Sequence, residues 1–97
     1  MAKGYWVVSY RKITDPQKLD AYAKLAGPAV IAGGGRFVAR GMAVQAAEQG
    51  LAQRTTVVEF DSVEQAIACH DSAAYRQALQ ALGDSVERDF RIVQGVE

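Results

Sequence analysis

The sequence has little of several features that mark particular classes of protein. Cys69 is the only cysteine among 97 residues, so no intrachain disulfide can form and a reducing compartment is favoured. The apolar run at residues 5–8 is far too short for a signal-peptide core or a membrane span. We therefore expect a cytoplasmic protein with no membrane partner.

The chain also lacks an excess of charge of either sign. Eleven Lys and Arg residues balance eleven Asp and Glu residues, so the formal net charge is zero. No excess of positive charge is available to hold phosphate backbones, and we expect no nucleic-acid partner. A zero net charge also removes long-range repulsion between copies of the chain, which permits self-association.

Motifs for metals and cofactors are absent as well. His70 is the only histidine, and its neighbour Cys69 gives no ligand spacing for zinc. The glycines at 33–35 follow a predicted helix and precede a predicted strand, which is the reverse of the context of a dinucleotide-binding loop. We therefore expect neither a metal nor a cofactor.

What the chain does contain is typical of one globular domain over residues 1–97, since 49% of its residues are apolar and 23% are charged. Aromatic and β-branched residues predict strands at 4–13, 36–40, 55–60 and 90–93. Gly41 marks an expected bulge, after which the second strand would resume as far as Val44.

Two helical segments separate these strands. The first begins at Asp15 and Pro16, which suit a helix N-terminus, and ends at the glycines 33–35, with a kink or break expected at Pro28. The second begins at Ser62, where Gln65 completes a capping box, and divides near residues 71–72 before ending at Gly83.

The resulting order, β-α-β-β-α-β, predicts an α+β fold of the ferredoxin-like type, a four-stranded antiparallel sheet with both helices on one face. Apolar residues occupy both faces of the strands, as in the pairs Tyr5 with Trp6 and Val57 with Val58. Helices cover only one face, so the other would expose an apolar patch that monomers rarely tolerate. We expect a second copy of the sheet to cover it, giving a homodimer.

Several segments resemble the domain-of-unknown-function family thirteen-thirty. They are residues 34–41, residues 58–66, the pair Asp71-Ser72 followed by Tyr75, the opening residues 4–6, and the segment 15–22. The resemblance implies a dimeric α+β barrel built from ferredoxin-like protomers, and it supplies no function. Wider relatives of this barrel include cofactor-independent monooxygenases, muconolactone isomerase-like enzymes and stress-response proteins, but one fold hosts many chemistries.

Two residues are candidates for catalysis. His70 is the natural acid–base group, because histidine as a residue type changes charge near neutral pH, although a lone histidine is more often structural or simply exposed. Neighbouring helical residues diverge, so Cys69 and His70 are not expected to form a nucleophile–base pair. Arg40 could stabilise an anionic or enolate-like ligand, and a salt bridge to Glu59 is the equally weighted alternative.

Four further residues are candidates for ligand binding, each with a structural alternative: Trp6, Tyr22, Asp71 and Tyr75. Packing is the alternative for the tryptophan and for the two tyrosines, which lie on the apolar stripes of their helices. Capping of free helix N–H groups is the alternative for Asp71.

Three functional hypotheses follow. The first is a cofactor-independent enzyme that acts on a small metabolite in a pocket between sheet and helices, with His70 and Arg40 in the roles given above. The second is a non-catalytic ligand-binding or stress-response module. The third is a purely structural dimer, which needs no pocket.

Overall fold

The strands and helices follow the predicted order, with the second helical segment divided in two. The computed structural model describes residues 2–97. Its elements are β1 (Gly4–Ile13), α1 (Pro16–Ala32), β2 (Arg36–Met42), β3 (Arg54–Phe60), α2 (Val63–His70), α3 (Ala73–Leu82) and β4 (Val86–Gln94). The strands form one antiparallel sheet in the order β2-β3-β1-β4. The predicted ferredoxin-like α+β architecture is confirmed.

The division between α2 and α3 lies where the sequence places it. Ser72 donates its hydroxyl to the carbonyl of Cys69 over 2.7 Å and accepts from the backbone N–H of Tyr75 over 3.2 Å. One side chain thus helps to close α2 and caps α3. At the start of α2, Ser62 accepts from the N–H of Gln65 as the capping box predicts.

Helix α1 corrects one prediction. Asp15 accepts from the N–H groups of Gln17 and Lys18, so the predicted N-terminus is confirmed, but the helix continues through Pro28 and the expected break does not occur. Pro28 is exposed, so the carbonyl that loses its hydrogen bond there can bind water. The buried neighbours Ala29 and Val30 hold the helix on the core.

Two strands also differ from expectation. The register shift in β2 lies between Phe37 and Ala39 rather than at Gly41, and the strand ends at Met42 instead of Val44. Strand β4 begins at Val86, four residues before the predicted start. Its early residues are mostly charged, so they lack the apolar pattern that predicts a strand.

The core lies between the helices and one face of the sheet. Its largest fully buried side chains include Trp6 and Phe60 from the sheet and Tyr75 from α3. The ring centroids of Trp6 and Tyr75 are 4.9 Å apart, and those of Trp6 and Phe60 are 5.1 Å apart. These separations suit favourable tilted aromatic contacts, which fix the relative position of the sheet and helices.

The opposite face of the sheet has no helix over it, and we call it the open face. Val7, Val57 and Val93 lie on it, in the register that pairs Val7 with Val57 and Tyr5 with Val93. Val93 is 41% exposed, while Val7 and Val57 are half-buried. Polar groups border this apolar centre, as where Arg36 contacts Glu59 over 2.8 Å.

Candidate functional site

A partly enclosed cavity lies between α1 and the helix-covered face of the sheet. The space that the centre of a water molecule can reach inside it is about 40 Å³. Its lining residues come from α1 and from all four strands: Trp6, Val8, Tyr10, Tyr22, Ala23, Ala26, Gly27, Val30, Phe37, Arg40, Arg54, Thr56, Val58, Arg88 and Phe90. A single water needs about 10–15 Å³ by this measure, so the cavity takes more than one small chemical group.

Aromatic rings form a rigid part of the wall. Trp6 donates its indole N–H to the backbone carbonyl of Ala66 over 2.9 Å, which fixes the orientation of the ring. The Trp6 and Phe90 ring centroids are 5.1 Å apart. This wall is apolar, because the one polar atom of the indole is already satisfied.

Arg88 and three tyrosine hydroxyls form the polar part of the site, which we call the Arg88 cluster. Nη1 of Arg88 donates to the hydroxyls of Tyr10 and Tyr22 over 3.1 and 3.2 Å, and Nη2 donates to Tyr75 over 3.3 Å. The hydroxyls of Tyr22 and Tyr75 are 2.6 Å apart, so one of them donates to the other. The cluster joins β1, α1, α3 and β4 around one guanidinium.

The surroundings of the cluster favour a charged Arg88 and a neutral Tyr75. Burial raises the pKa of Tyr75, and its proximity to Tyr22 raises it further. Burial alone would lower the pKa of Arg88, but the neighbouring oxygens of Tyr22 and Tyr75 more than offset this and raise it. At neutral pH the site therefore holds one fixed positive charge surrounded by hydroxyl dipoles.

Two further arginines line the same cavity. The Arg54 Cζ atom lies 6.0 Å from the Tyr10 ring centroid, and the Arg88 Cζ atom lies 5.6 Å from the same point. Arg54 Nε is buried and has no hydrogen-bond partner among residues 2–97. Arg40 is exposed, with its Cζ atom 4.3 Å from the Phe37 ring centroid. No Asp or Glu lines the cavity, so its charge is positive.

Four of the six predicted site residues lie at or next to this cavity. Arg40, Trp6 and Tyr22 line it, and Tyr75 contacts it through the hydroxyl of Tyr22 and the guanidinium of Arg88. The alternative salt bridge from Arg40 to Glu59 does not form, because Glu59 pairs with Arg36 on the open face. Tyr22 and Tyr75 are also core residues, as their structural alternative expects.

His70 and Asp71 lie outside the cavity. His70 packs on the rings of Trp6, Tyr75 and Phe90, with a shortest centroid distance of 5.0 Å, to Phe90. Its Nδ1 atom lies 3.6 Å from an oxygen of Asp71. Aromatic side chains therefore stand between the imidazole and the cavity, and the structure does not bring His70 and Arg40 to one site.

Sequence reasoning missed Arg88, Arg54 and Tyr10. A signal for Arg88 was present, because Val86, Arg88 and Phe90 alternate with Glu87 and Asp89 across β4. An arginine at the inward position of such a pattern marks either an ion pair or a binding site.

Two features are absent from the part of the chain that the structure describes, a cluster of metal-ligand residues and a membrane-spanning helix. Residues 2–97 hold no group of three or more His, Cys, Asp or Glu side chains placed to share a metal ion. No helix within that range has the length and apolar character that crossing a bilayer requires.

Comparisons with solved structures show where this architecture recurs. A protein of unknown function from Rhodopseudomonas palustris superimposes with a TM-score of 0.74 at 16% identity, covering 99% of this chain and 84% of that one. A dimeric ferredoxin-like protein of unknown function from Thermobifida fusca gives a TM-score of 0.62 at 18% identity, covering 96% of this chain and 89% of that one. A proposed antibiotic biosynthesis monooxygenase from Caulobacter crescentus gives a TM-score of 0.61 at 13% identity, covering 99% of this chain and 91% of that one. At these identities the likeness establishes the fold alone.

The sequence comparisons establish a family. No curated protein matches the chain. The model of a domain of unknown function, DUF1330, matches residues 3–96. The match spans nearly the whole sequence, as the resemblance of the separate segments predicts, and the chain belongs to the DUF1330 family.

Proposed function

We propose that this protein is a homodimer in which each protomer binds a small molecule in the cavity between α1 and the sheet. The observation that carries the proposal is the meeting of an apolar aromatic wall with the Arg88 cluster in one partly enclosed space. Small-molecule sites combine these two features, because apolar walls bind the body of a ligand and a few polar groups orient it.

The open face supports the dimer. Burying a valine side chain is worth roughly 1.5–3 kcal/mol, and Val7, Val57 and Val93 lie on this face without a covering element. The Thermobifida fusca structure of the same fold is described as dimeric. A dimer formed through the open face leaves both cavities accessible, because they lie on the other side of each sheet.

Light scattering after size-exclusion chromatography tests the assembly. We expect the wild-type protein to be a dimer at micromolar concentration and Val57→Glu to be a folded monomer. Ile31→Glu is the matched control, since Ile31 is 61% exposed on α1, away from the open face, and it should remain dimeric. A wild-type monomer at that concentration would refute the dimer.

A screen of small metabolites by thermal shift tests the ligand site. Ligands that stabilise the wild type should lose their effect in Gly27→Leu. A Cβ atom at Gly27, which lines the cavity, meets no heavy atom within 4 Å, so a larger side chain fits there and occupies space that a ligand would use. Ala74→Leu on the exposed side of α3 should bind as the wild type does. Equal stabilisation of all three proteins would place the ligand elsewhere.

A cofactor-independent enzyme is the second candidate. One hydroxyl of the Tyr22–Tyr75 pair donates to the other, which leaves one O–H free to donate beside the Arg88 guanidinium, an arrangement that would stabilise a developing oxyanion. Arg40 would add charge at the cavity, whereas an acid–base role for His70 would require a change of conformation, because aromatic side chains separate its imidazole from the cavity. If bound ligands turn over, Tyr75→Phe should slow the reaction, and a slower reaction in His70→Ala would show that the histidine takes part. If ligands bind without turnover, and bind His70→Ala as they bind the wild type, the non-catalytic alternative is supported.

A further inference from the structure

We propose that the ligand of the cavity carries a carboxylate, which accepts hydrogen bonds from Arg88 and Arg54, and that its remaining part is compact and apolar. This inference rests on the proposed ligand site and names the chemical class that the site takes. Three independent observations carry it: the unused donors of Arg88, the unpartnered Nε of Arg54, and the distribution of acidic residues.

Arg88 has donors to spare. A guanidinium has five N–H groups, and the three tyrosine hydroxyls of the cluster use three of them, two on Nη1 and one on Nη2. The Nε–H and the second N–H of Nη2 make no hydrogen bond within residues 2–97. Both nitrogens are bonded to Cζ, and two such N–H groups form the fork that donates to both oxygens of a carboxylate.

Arg54 supplies a second unsatisfied donor. Its Nε atom is buried without a partner, which is unusual because nearly all buried polar groups in proteins are hydrogen-bonded. Both arginines line the cavity, and their Cζ atoms lie 6.0 and 5.6 Å from the Tyr10 ring centroid. A ligand oxygen that reaches Arg54 Nε would satisfy a donor that the protein itself leaves unpaired.

The acidic residues lie elsewhere. No ion pair among the described residues includes Arg40, Arg54 or Arg88. The other arginines, such as Arg36 and Arg91, pair with carboxylates on the surface. In a chain with equal numbers of acidic and basic residues, three unpaired arginines around one cavity leave a net positive charge that an anionic ligand would neutralise.

The walls and the volume define the rest of the ligand. Beyond the arginines and the hydroxyls, the lining is aliphatic or aromatic apart from Thr56. A heavily charged group such as phosphate would need a donor on every oxygen, and the mainly apolar lining favours the smaller charge of a carboxylate. The volume of about 40 Å³ suits a carboxylate on a compact apolar body that extends toward the open side of the cavity.

Isothermal titration calorimetry with three probes tests this assignment: benzoate, its neutral analogue benzamide, and inorganic phosphate. We expect benzoate to bind at least tenfold more tightly than either of the others. Arg54→Met and Arg88→Met should each weaken benzoate binding by about 10- to 100-fold, as expected for loss of a charge-assisted hydrogen bond. Arg76→Gln, an exposed position on α3, should bind benzoate as the wild type does.

The outcomes separate this inference from the function on which it rests. Suppose that neutral metabolites bind in the thermal-shift screen, that Gly27→Leu blocks them, and that benzoate does not bind. The ligand site would then stand, and the carboxylate assignment would be overturned. Phosphate binding as tight as benzoate would overturn it too. If neither the probes nor the metabolites bind, the ligand site itself fails. Arg54→Met keeps the test valid if Arg88→Met fails to fold, because Arg54 Nε makes no hydrogen bond within the described residues.

Discussion

Replacing Arg54 with methionine should make the protein more stable while it weakens the proposed ligand site. Arg54 Nε is a buried donor with no partner, and such a group costs about 1–3 kcal/mol of folding free energy. Methionine keeps the long apolar stem and removes the donor. The substitution loses only the distant contact with Tyr10, at 6.0 Å, worth about 0.5–1 kcal/mol.

The net effect is a gain of about 0–2.5 kcal/mol in the free energy of unfolding. One kcal/mol shifts the midpoint of thermal unfolding by about 4–8 °C in a domain of this size. Arg88→Met is the matched comparison, because it removes three hydrogen bonds of the Arg88 cluster. Since the hydroxyls can partly bond one another, we expect it to lose about 2–4 kcal/mol.

Urea denaturation and thermal unfolding of both variants measure these differences, at one protein concentration because a dimer's stability depends on it. Two neighbouring arginines with effects of opposite sign are what a binding site predicts, since Arg88 makes three hydrogen bonds within the protein and the buried Nε of Arg54 makes none. If Arg54→Met loses more than 1 kcal/mol, about the size of a satisfied hydrogen bond, the guanidinium has a structural partner and the reasoning fails.

Three further predictions concern the fold around the site. Tyr75→Phe removes a hydroxyl with one buried and one part-buried hydrogen bond and should lower the unfolding free energy by about 1–3 kcal/mol in urea; an unchanged value would refute the network. The hydrogen bond from Arg36 holds the pKa of Glu59 below its ordinary value of 4.5, so its stabilisation is present above that value and lost as pH falls through the folded-state pKa. Glu59→Gln should therefore flatten the stability curve below about pH 5, and an unchanged acid limb in thermal melts would contradict this. Gly4→Ala should destabilise, because its Cβ would lie 2.6 Å from a backbone oxygen, whereas Gly27→Ala meets nothing and should raise the unfolding free energy by about 1 kcal/mol; equal melting temperatures would refute the contrast.

The sequence was informative wherever local chemistry alone decides the structure. The caps at Asp15 and Ser62 and the division of the second helical segment are confirmed, because each depends on a side chain and the backbone within three residues of it. Pro28 misled the prediction, since packing of the buried helix face outweighs one lost hydrogen bond at an exposed position.

The site was harder to predict than the fold. Arg88 interrupts the apolar pattern of β4 because it faces inward as a charge, and the same interruption concealed the start of the strand. His70 attracted attention through its chemistry, yet its position behind three aromatic rings follows from tertiary packing. The sequence shows which residues could carry a reaction, but only the fold shows which of them share a cavity.

The Arg88 cluster also has a consequence for the order in which the protein assembles. Arg88 is separated along the chain from Tyr10 by 78 residues, from Tyr22 by 66 and from Tyr75 by 13. Strand β4 is the last element of the sequence and lies at an edge of the sheet beside β1, so the guanidinium reaches the hydroxyls only when that strand docks. The buried core residues all lie outside β4, whereas the positive charge of the cluster is absent until β4 has docked. The proposed ligand site therefore depends on contacts between distant parts of the chain, and contacts of this kind slow folding.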